Sequence, residues 1–387
     1  MNLKPIKTIL YVCATLCIQG CIEEYKPLIE VSNNDVFVIS GMVTDEEGYH
    51  EIEVSLASDI YNPVFIPVNG CDIQILDNEG NIFYSEDMDN GNYRVWIDQE
   101  YLKPGKSYKI NVTTPQGLEI TSDYEKMPDG ADIDSIYYLI ENKPTTDPEE
   151  PIMGIRFYTD MDGANNNSRY YRYTIEETWE YHSLYPNYGY YTGSLVSIDP
   201  PDYSRFICWK TQMVPEIFVL STMHLSNNSY LKFPLHYIKN TSEKLAHGYS
   251  LLLSQYALSE GAYFYWTKIK NNTMEEGGLY NTQPELIKGN LYNITNSDTK
   301  VLGYFTASSV SSKRIFIKEV TNLELDYPTR CVSHELRSGA DGTIFYPPQR
   351  PVYLLLSNGY PVSWLNDNCV DCTSRGGTTV KPDFWPN

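Results

Sequence analysis

The feature that most constrains the fold is a series of short runs, within residues 30–125, in which apolar and polar side chains alternate. Residues 52–56 and 71–76 alternate in this way, and turn-forming residues such as Asn90-Gly91 and Pro104-Gly105 separate neighbouring runs. Alternation is typical of a strand with one buried face, and turns at a spacing of about 8–12 residues indicate a β-sandwich. The sequence therefore predicts a β-sandwich domain over residues 30–125.

A larger β-rich domain is predicted for residues 131–387, after a break at Pro128-Asp129-Gly130. Its strands are indicated by alternation and by aromatic content, as in residues 154–158 and 170–175. The first domain resembles the immunoglobulin-like or transthyretin-like modules of bacterial surface proteins. We expect the chain as a whole to be mainly β.

About one helix is predicted within the second domain. Four residues recur at helical spacing: Ala262, Trp266, Ile269 and Thr273. Ser259 stands just before them, and serine is favoured as an N-cap because its hydroxyl accepts from a free backbone N–H. We expect this helix to pack on a β framework.

The chain begins with a pattern that closely resembles a lipoprotein signal. Two lysines precede a short apolar core at residues 9–18, and a small residue stands directly before Cys21. This apolar run is too short to span a bilayer. We predict that residues 1–20 are a removed signal peptide, that Cys21 is acylated (a palmitate-type anchor in the lipid bilayer), and that residues 21–29 form an acidic tether close to the lipid. The alternative is an ordinary secretory signal with a chance cysteine.

The formal charge of −21 limits the possible partners of the chain. A strongly acidic surface repels nucleic acid and anionic lipid headgroups, so we predict that neither is a partner.

Five cysteines remain if the signal is removed and Cys21 is acylated. An exported protein meets an oxidising compartment, so disulfides are favoured. Cys71 is predicted to lie on the buried face of its strand, with Ile73 and Ile75, and to stay free. The remaining four are disulfide candidates with three possible pairings, and we favour at least one bridge from the C-terminal pair to one of the other two: Cys208, Cys331, Cys369 and Cys372. A zinc site that includes His334 is the weaker alternative, so no metal is predicted.

One segment is unusually rich in aromatic residues and contains Pro and Gly. Its members are Trp179, Tyr181, Tyr185, Tyr188, Tyr190 and Tyr191. Such rings on an exposed loop stack on sugars, grip peptides or seal protein interfaces, so the segment is a candidate ligand or partner loop for a peptide or glycan. The alternative is a hairpin whose aromatic rings fold back onto a sheet.

Catalytic motifs do not emerge from the sequence. None of the six histidines stands in a recognised hydrolase motif. Adjacent carboxylates such as Glu176-Glu177 point to opposite faces of a strand and do not flank one bond. We therefore predict a non-enzymatic protein without catalytic residues and without a cofactor.

Several segments of the C-terminal half form a recognisable signature: residues 289–294, 301–308, 313–317 and the tail 369–385. With the leader and the sandwich, this signature resembles the Bacteroidota lipoprotein family catalogued as domain of unknown function 4249. The resemblance implies an outer-membrane lipoprotein encoded beside a TonB-dependent transporter. Glu23 and Glu24 resemble the acidic signal that sends such lipoproteins to the cell surface.

These observations together predict a lipid-anchored protein of the cell outer membrane that faces the extracellular side. Its expected role is that of an accessory or ligand-capture subunit of a TonB-dependent transporter barrel. Two alternatives remain, a surface adhesin or structural module and a hydrolase of exported glycan or peptide.

Overall fold

The computed structural model describes residues 36–58, 63–144, 151–164, 166–274, 287–296, 299–338, 344–346 and 351–386. Cys21, Glu23 and Glu24, with the predicted signal peptide and tether, lie outside these residues. Within the described part, the fold is mainly β, as predicted.

Nine strands form from the N-terminal third of the chain: β1 (Phe37–Thr44), β2 (Gly48–Leu56), β3 (Ile66–Pro67), β4 (Asp72–Asp77), β5 (Ile82–Asp87), β6 (Asn92–Ile97), β7 (Ser107–Thr113), β8 (Glu119–Ser122) and β9 (Glu125–Lys126). Their alternation matches the observed burial. On β4, for example, Ile73 and Ile75 are fully buried while Asp72 is exposed. The strands predicted around residues 52–56 and 71–76 are thus confirmed.

The middle of the chain contributes nine more strands: β10 (Ile133–Lys143), β11 (Ile152–Asp162), β12 (Tyr170–His182), β13 (Asn187–Tyr191), β14 (Leu195–Asp202), β15 (Ile207–Met213), β16 (Phe218–Ser221), β17 (Ser229–Lys239) and β18 (Tyr249–Ala257). A helix, α1 (Glu260–Met274), follows directly. The hydroxyl of Ser259 accepts a hydrogen bond from the N–H of Ala262 at 3.1 Å. The predicted helix and its N-cap are therefore confirmed.

The C-terminal part supplies β19 (Leu291–Asn293), β20 (Val301–Ser308), β21 (Val310–Ile317), β22 (Ser333–Glu335), β23 (Arg337–Ser338), β24 (Ile344–Phe345), β25 (Val352–Ser357), β26 (Tyr360–Leu365) and the short helix α2 (Asp367–Val370). Short 3₁₀ turns lie at Gln99–Tyr101, Glu243–Leu245 and Cys372–Arg375. No helix among the described residues is both long and apolar enough to cross a membrane.

The first sheet curls into a nearly barrel-like sandwich in the order β19-β8-β7-β4-β5-β6-β2-β1-β20, with β3 beside β2 and β9 beside β7. Strand β20 runs parallel to β1, from Phe37 opposite Val301 to Thr44 opposite Ser308. Strands from the C-terminal half thus complete the sheet that the N-terminal third begins. Residues 36–387 belong to one compact unit, while the predicted division into domains 30–125 and 131–387 stays a prediction.

A second sandwich is formed by the sheet β10-β11-β17 and the sheet β15-β12-β18-β21, in which β16 also pairs with β12. The core between them holds inward-facing side chains such as Phe157, Tyr173 and Leu251. A fourth sheet has the order β14-β13-β25-β26-β22, and β23 pairs with β24. Helix α1 packs over the outer face of β12 and partly shields the side chains on that face from solvent.

Candidate ligand-binding site

The predicted aromatic segment lies on two strands of different sheets. Trp179 and Tyr181 belong to β12 and are 5% and 2% exposed, and the Tyr181 hydroxyl donates to the carbonyl of Cys372 at 2.9 Å. Both rings are buried in the core, so the expectation of an exposed aromatic loop is wrong for Trp179 and Tyr181. These two rings instead fold onto a sheet, as in the alternative interpretation.

The other aromatic residues of this segment are half-buried. Tyr188, Tyr190 and Tyr191 lie on β13, and Tyr185 precedes that strand. The Tyr191 ring stacks on Tyr346 with a centroid distance of 3.7 Å. A ligand or partner role for these four residues stays a prediction.

Two disulfides hold the C-terminal tail, one to β15 of the second sandwich and one to the segment directly before β22. Cys208 is bonded to Cys372, and Cys331 is bonded to Cys369, so both members of the C-terminal pair are bridged. The expected bridge is thus confirmed, and Cys71 is free and buried as predicted. The four bonded sulfurs are engaged with one another rather than available as thiolates for zinc.

A pocket of about 420 Å³ lies beside the 3₁₀ turn Glu243–Leu245, and its lining includes Trp179, His236, Lys239, Lys244 and Arg330. Directly behind it lies Glu177 on β12, which is 1% exposed. Alternation on β12 is interrupted at this point, where three consecutive residues are buried.

Glu177 is surrounded by donors. It is ion-paired with Lys244, accepts from the Tyr249 hydroxyl at 2.9 Å and from Gln212 Nε2 at 2.7 Å, and lies 3.7 Å from His236 Nε2. Burial holds the pKa of the Tyr249 phenol well above its usual range. This carboxylate is therefore a bridge between strands, and its oxygens are occupied by protein donors.

A second pocket, of about 270 Å³, lies between the outer face of the first sheet and helix α1. Arg172 of β12 and Trp266 of α1 line one side of it. Tyr171 and Tyr173 point into the core of the second sandwich, so alternation directs Arg172 to the opposite face of β12, under α1.

Arg172 carries a charge without a partner among the described residues. Its guanidinium lies 3.5 Å from the centroid of the Trp266 ring, and its Nε is buried without an acceptor. Partial burial lowers the pKa of Arg172 to about 10 because it removes part of the water that solvates the cation. An ion pair or hydrogen bond to this side chain is absent throughout the described part of the chain.

The opposite wall of the same pocket is acidic. On β2 the side chains of His50, Ile52 and Val54 point inward, so Glu51 and Glu53 face outward into the pocket. Within the described residues, neither carboxylate forms an ion pair. Ser40 and Asn92, the strand neighbours of Glu53, also line the pocket and add a hydroxyl and an amide beside the carboxylates.

A polar contact behind the pocket joins α1 to the first sheet. Glu125 of β9 accepts from the Ser259 hydroxyl at the start of α1 and from the Tyr304 hydroxyl of β20 at 3.3 Å. Desolvation raises the pKa of Glu125, and the two hydroxyls partly offset this effect. The contact fixes the helix, and with it Trp266, over Arg172.

The family model for domain of unknown function DUF4249 matches residues 22–314 of this chain. The chain belongs to the DUF4249 family. The match starts directly after Cys21 and includes both walls of the second pocket, whereas the tail signature at 369–385 lies beyond it.

Comparison with curated proteins gives no match for this DUF4249 chain. Among solved structures, it is similar to a crystal structure of a Salmonella alpha-2-macroglobulin mutant, at 12% identity and a TM-score of 0.17. The similarity covers 59% of this chain and spans only 14% of the length of that protein.

Sequence reasoning did not find the residues of the second pocket. Arg172 lies in a stretch correctly predicted as a strand, and Trp266 in the correctly predicted helix, but neither was singled out as a site residue. A charged residue between two tyrosines on an alternating strand was the available signal, and it does not distinguish a solvent-exposed arginine from one covered by a helix.

Proposed function

We propose that this DUF4249 protein is a non-enzymatic lipoprotein of the outer membrane, displayed on the cell surface. Its lipid-bearing residue is Cys21, and it acts as an accessory or ligand-capture subunit of a TonB-dependent transporter. The observation that carries the proposal is the lipobox-like leader, which ends at Cys21 directly before the family-matched region begins at residue 22.

Lipid attachment gives this role a physical basis. Each buried methylene of an acyl chain contributes about 0.8 kcal/mol, so two or more chains hold a protein stably on a bilayer. Confinement to the membrane plane raises the effective concentration of the protein near a barrel in the same membrane. The transporter as partner is what the family resemblance implies.

Two features of the fold support capture rather than catalysis. Glu177, the buried acid behind the pocket beside Glu243–Leu245, is saturated by protein donors. The second pocket instead presents unpaired charges, which suits recognition of a polar ligand.

Metabolic labelling of growing cells with an alkyne fatty acid tests the anchor. The wild-type chain should be labelled and should fractionate with the outer membrane, and Cys21→Ala should abolish both. Cys71→Ala is the matched control, because Cys71 is the free, buried cysteine, and it should leave the label in place. An unlabelled wild-type chain would contradict the anchor.

Co-purification from native membranes in mild detergent tests the partner. A TonB-dependent barrel should be recovered with the wild-type chain, and recovery of the lipoprotein without a barrel counts against the transport role.

Exposure to protease on intact cells tests the orientation. Glu23→Ala combined with Glu24→Ala should keep the protein in the outer membrane but protect it from that protease.

A further inference from the structure

Arg172 is a half-buried cation that has no anionic partner among the described residues. A desolvated ion costs several kcal/mol unless it is paired. The stacking of the guanidinium on Trp266 offsets part of this cost but does not supply an opposite charge. Among the described residues, the protein supplies no anion to this half-buried cation, and the cation lies beside an open pocket.

The geometry of Arg172 suits a carboxylate. Its Nε is enclosed, whereas its side chain lines the pocket, so the terminal nitrogens are the groups that reach a ligand. A guanidinium presents parallel donors that match the two oxygens of a carboxylate. Stacking on Trp266 fixes the plane of the guanidinium before the ligand arrives, which reduces the entropy lost on binding.

The opposite wall of the pocket is acidic and therefore favours a positively charged group on the ligand. Glu51 and Glu53 are exposed to the pocket and form no ion pair within the described residues. The chain has a net charge of −21, and these two carboxylates beside the pocket repel a simple anion such as phosphate. A ligand with a cationic group satisfies both walls at once.

We propose that this pocket binds a small molecule that carries both a carboxylate and an ammonium group, namely an amino acid or a short peptide. The ligand carboxylate accepts from Arg172, and its ammonium group donates to Glu51 or Glu53. The pocket volume of about 270 Å³ lies near the lower end of ligand pockets, about 300 Å³, which favours a small ligand. The inference names the captured ligand of the proposed function, but its test measures binding alone and is independent of the lipid and of the transporter.

Isothermal titration of the purified full-length chain in detergent tests this proposal with four probes. These are the dipeptide Ala-Phe, its N-acetyl form, its C-terminal amide and inorganic phosphate. We expect the dipeptide to bind, and each blocked form to bind at least tenfold more weakly. Absence of dipeptide binding at millimolar concentration, equal binding of the blocked forms, or preference for phosphate would each overturn the proposal.

Variants separate recognition from a packing role of the arginine. Arg172→Met keeps the apolar stem and removes the unpaired charge, so it should abolish dipeptide binding while the melting temperature stays equal or rises. Lys109→Met is the matched control: Lys109 also lies over a ring, that of Tyr124 at 5.2 Å, but lies outside the pocket lining, so binding should be unchanged. Unchanged binding by Arg172→Met would refute the assignment.

The acidic wall is tested by surface substitutions that leave the core intact. Glu51→Gln combined with Glu53→Gln should weaken binding of the dipeptide at least tenfold and should leave the weaker binding of its N-acetyl form unchanged. If both probes lose affinity equally, or neither does, the ammonium group is not what these carboxylates recognise. This pair keeps the proposal testable if the Arg172 variant fails to fold.

Discussion

Acidification should destabilise the fold through His50, which lies on β2 and points into the first core. The side chain is 5% exposed, its Nδ1 accepts from the N–H of Thr44 at 3.3 Å, and its Nε2 is buried without a partner among the described residues. Burial lowers the pKa of His50 to about 4, because protonation would place a charge in an apolar surrounding.

The magnitude follows from the two protonation equilibria. Between about pH 6.5, where the unfolded histidine titrates, and pH 4, the unfolded chain binds a proton that the folded chain does not. The free energy of unfolding therefore falls as the pH falls through this window, and the full contribution is present above it. From these values, His50 alone lowers the free energy of unfolding by about 2 kcal/mol between pH 7 and pH 5.

Urea unfolding of the wild-type chain and of His50→Asn at pH 7 and pH 5 measures this effect. The asparagine oxygen takes the place of Nδ1 as acceptor for Thr44 but does not titrate. Although the variant should be less stable at pH 7, its loss on acidification should be smaller than the wild-type loss by about 2 kcal/mol, with an unchanged dependence on urea.

Subtracting the two pH differences removes the other titrating groups, such as the buried Glu125, from the comparison. His224→Asn is the matched control, because His224 is exposed, and it should retain the wild-type pH dependence. If wild-type and His50→Asn chains lose the same free energy between pH 7 and pH 5, the argument from burial is refuted.

Two further perturbations have expected magnitudes. Cys208→Ser with Cys372→Ser opens a bridge between residues 164 apart, and chain entropy predicts a loss of about 5 kcal/mol in the free energy of unfolding, measured by urea titration without reductant. Lys244→Met leaves Glu177 buried without its ion pair and should cost about 3–5 kcal/mol in the same assay, whereas adding Glu177→Gln should recover part of that loss; a double variant as unstable as the single one would speak against a charge effect.

Local periodicity was sufficient to predict the strands and the helix. Residues such as Ile73 and Ile75 on β4 report which face is buried, because strand side chains alternate with period two. Ser259 marked the start of α1 for an equally local reason, since its hydroxyl caps an N–H three residues away. Signals of this kind need only the neighbouring sequence.

The pairing of β1 with β20 was not predictable in the same way. Strand β20 is buried along almost its whole length, so its alternation is weak and does not reveal a partner. Gly303 has a backbone φ of +102°, and a Cβ there would meet the carbonyl oxygen of Ile39. The glycine is thus required by a contact with a strand more than 250 residues earlier, and its sequence neighbours carry no record of that contact.

The candidate site shows the same limit more sharply. Alternation correctly separates Arg172 from the core side of β12, and on an open sheet that would mean exposure to water. The outer face is partly covered by α1, so the charge is half-buried and unpaired although the alternation along the strand is unchanged. Whether such an arginine is a solvated surface residue or an unpaired cation depends on elements that come from elsewhere in the chain. A feature that costs stability and has no local compensation is explained best by an interaction outside the folded chain, which is why the pocket beside Trp266, rather than the saturated acid Glu177, is the place to look for a ligand.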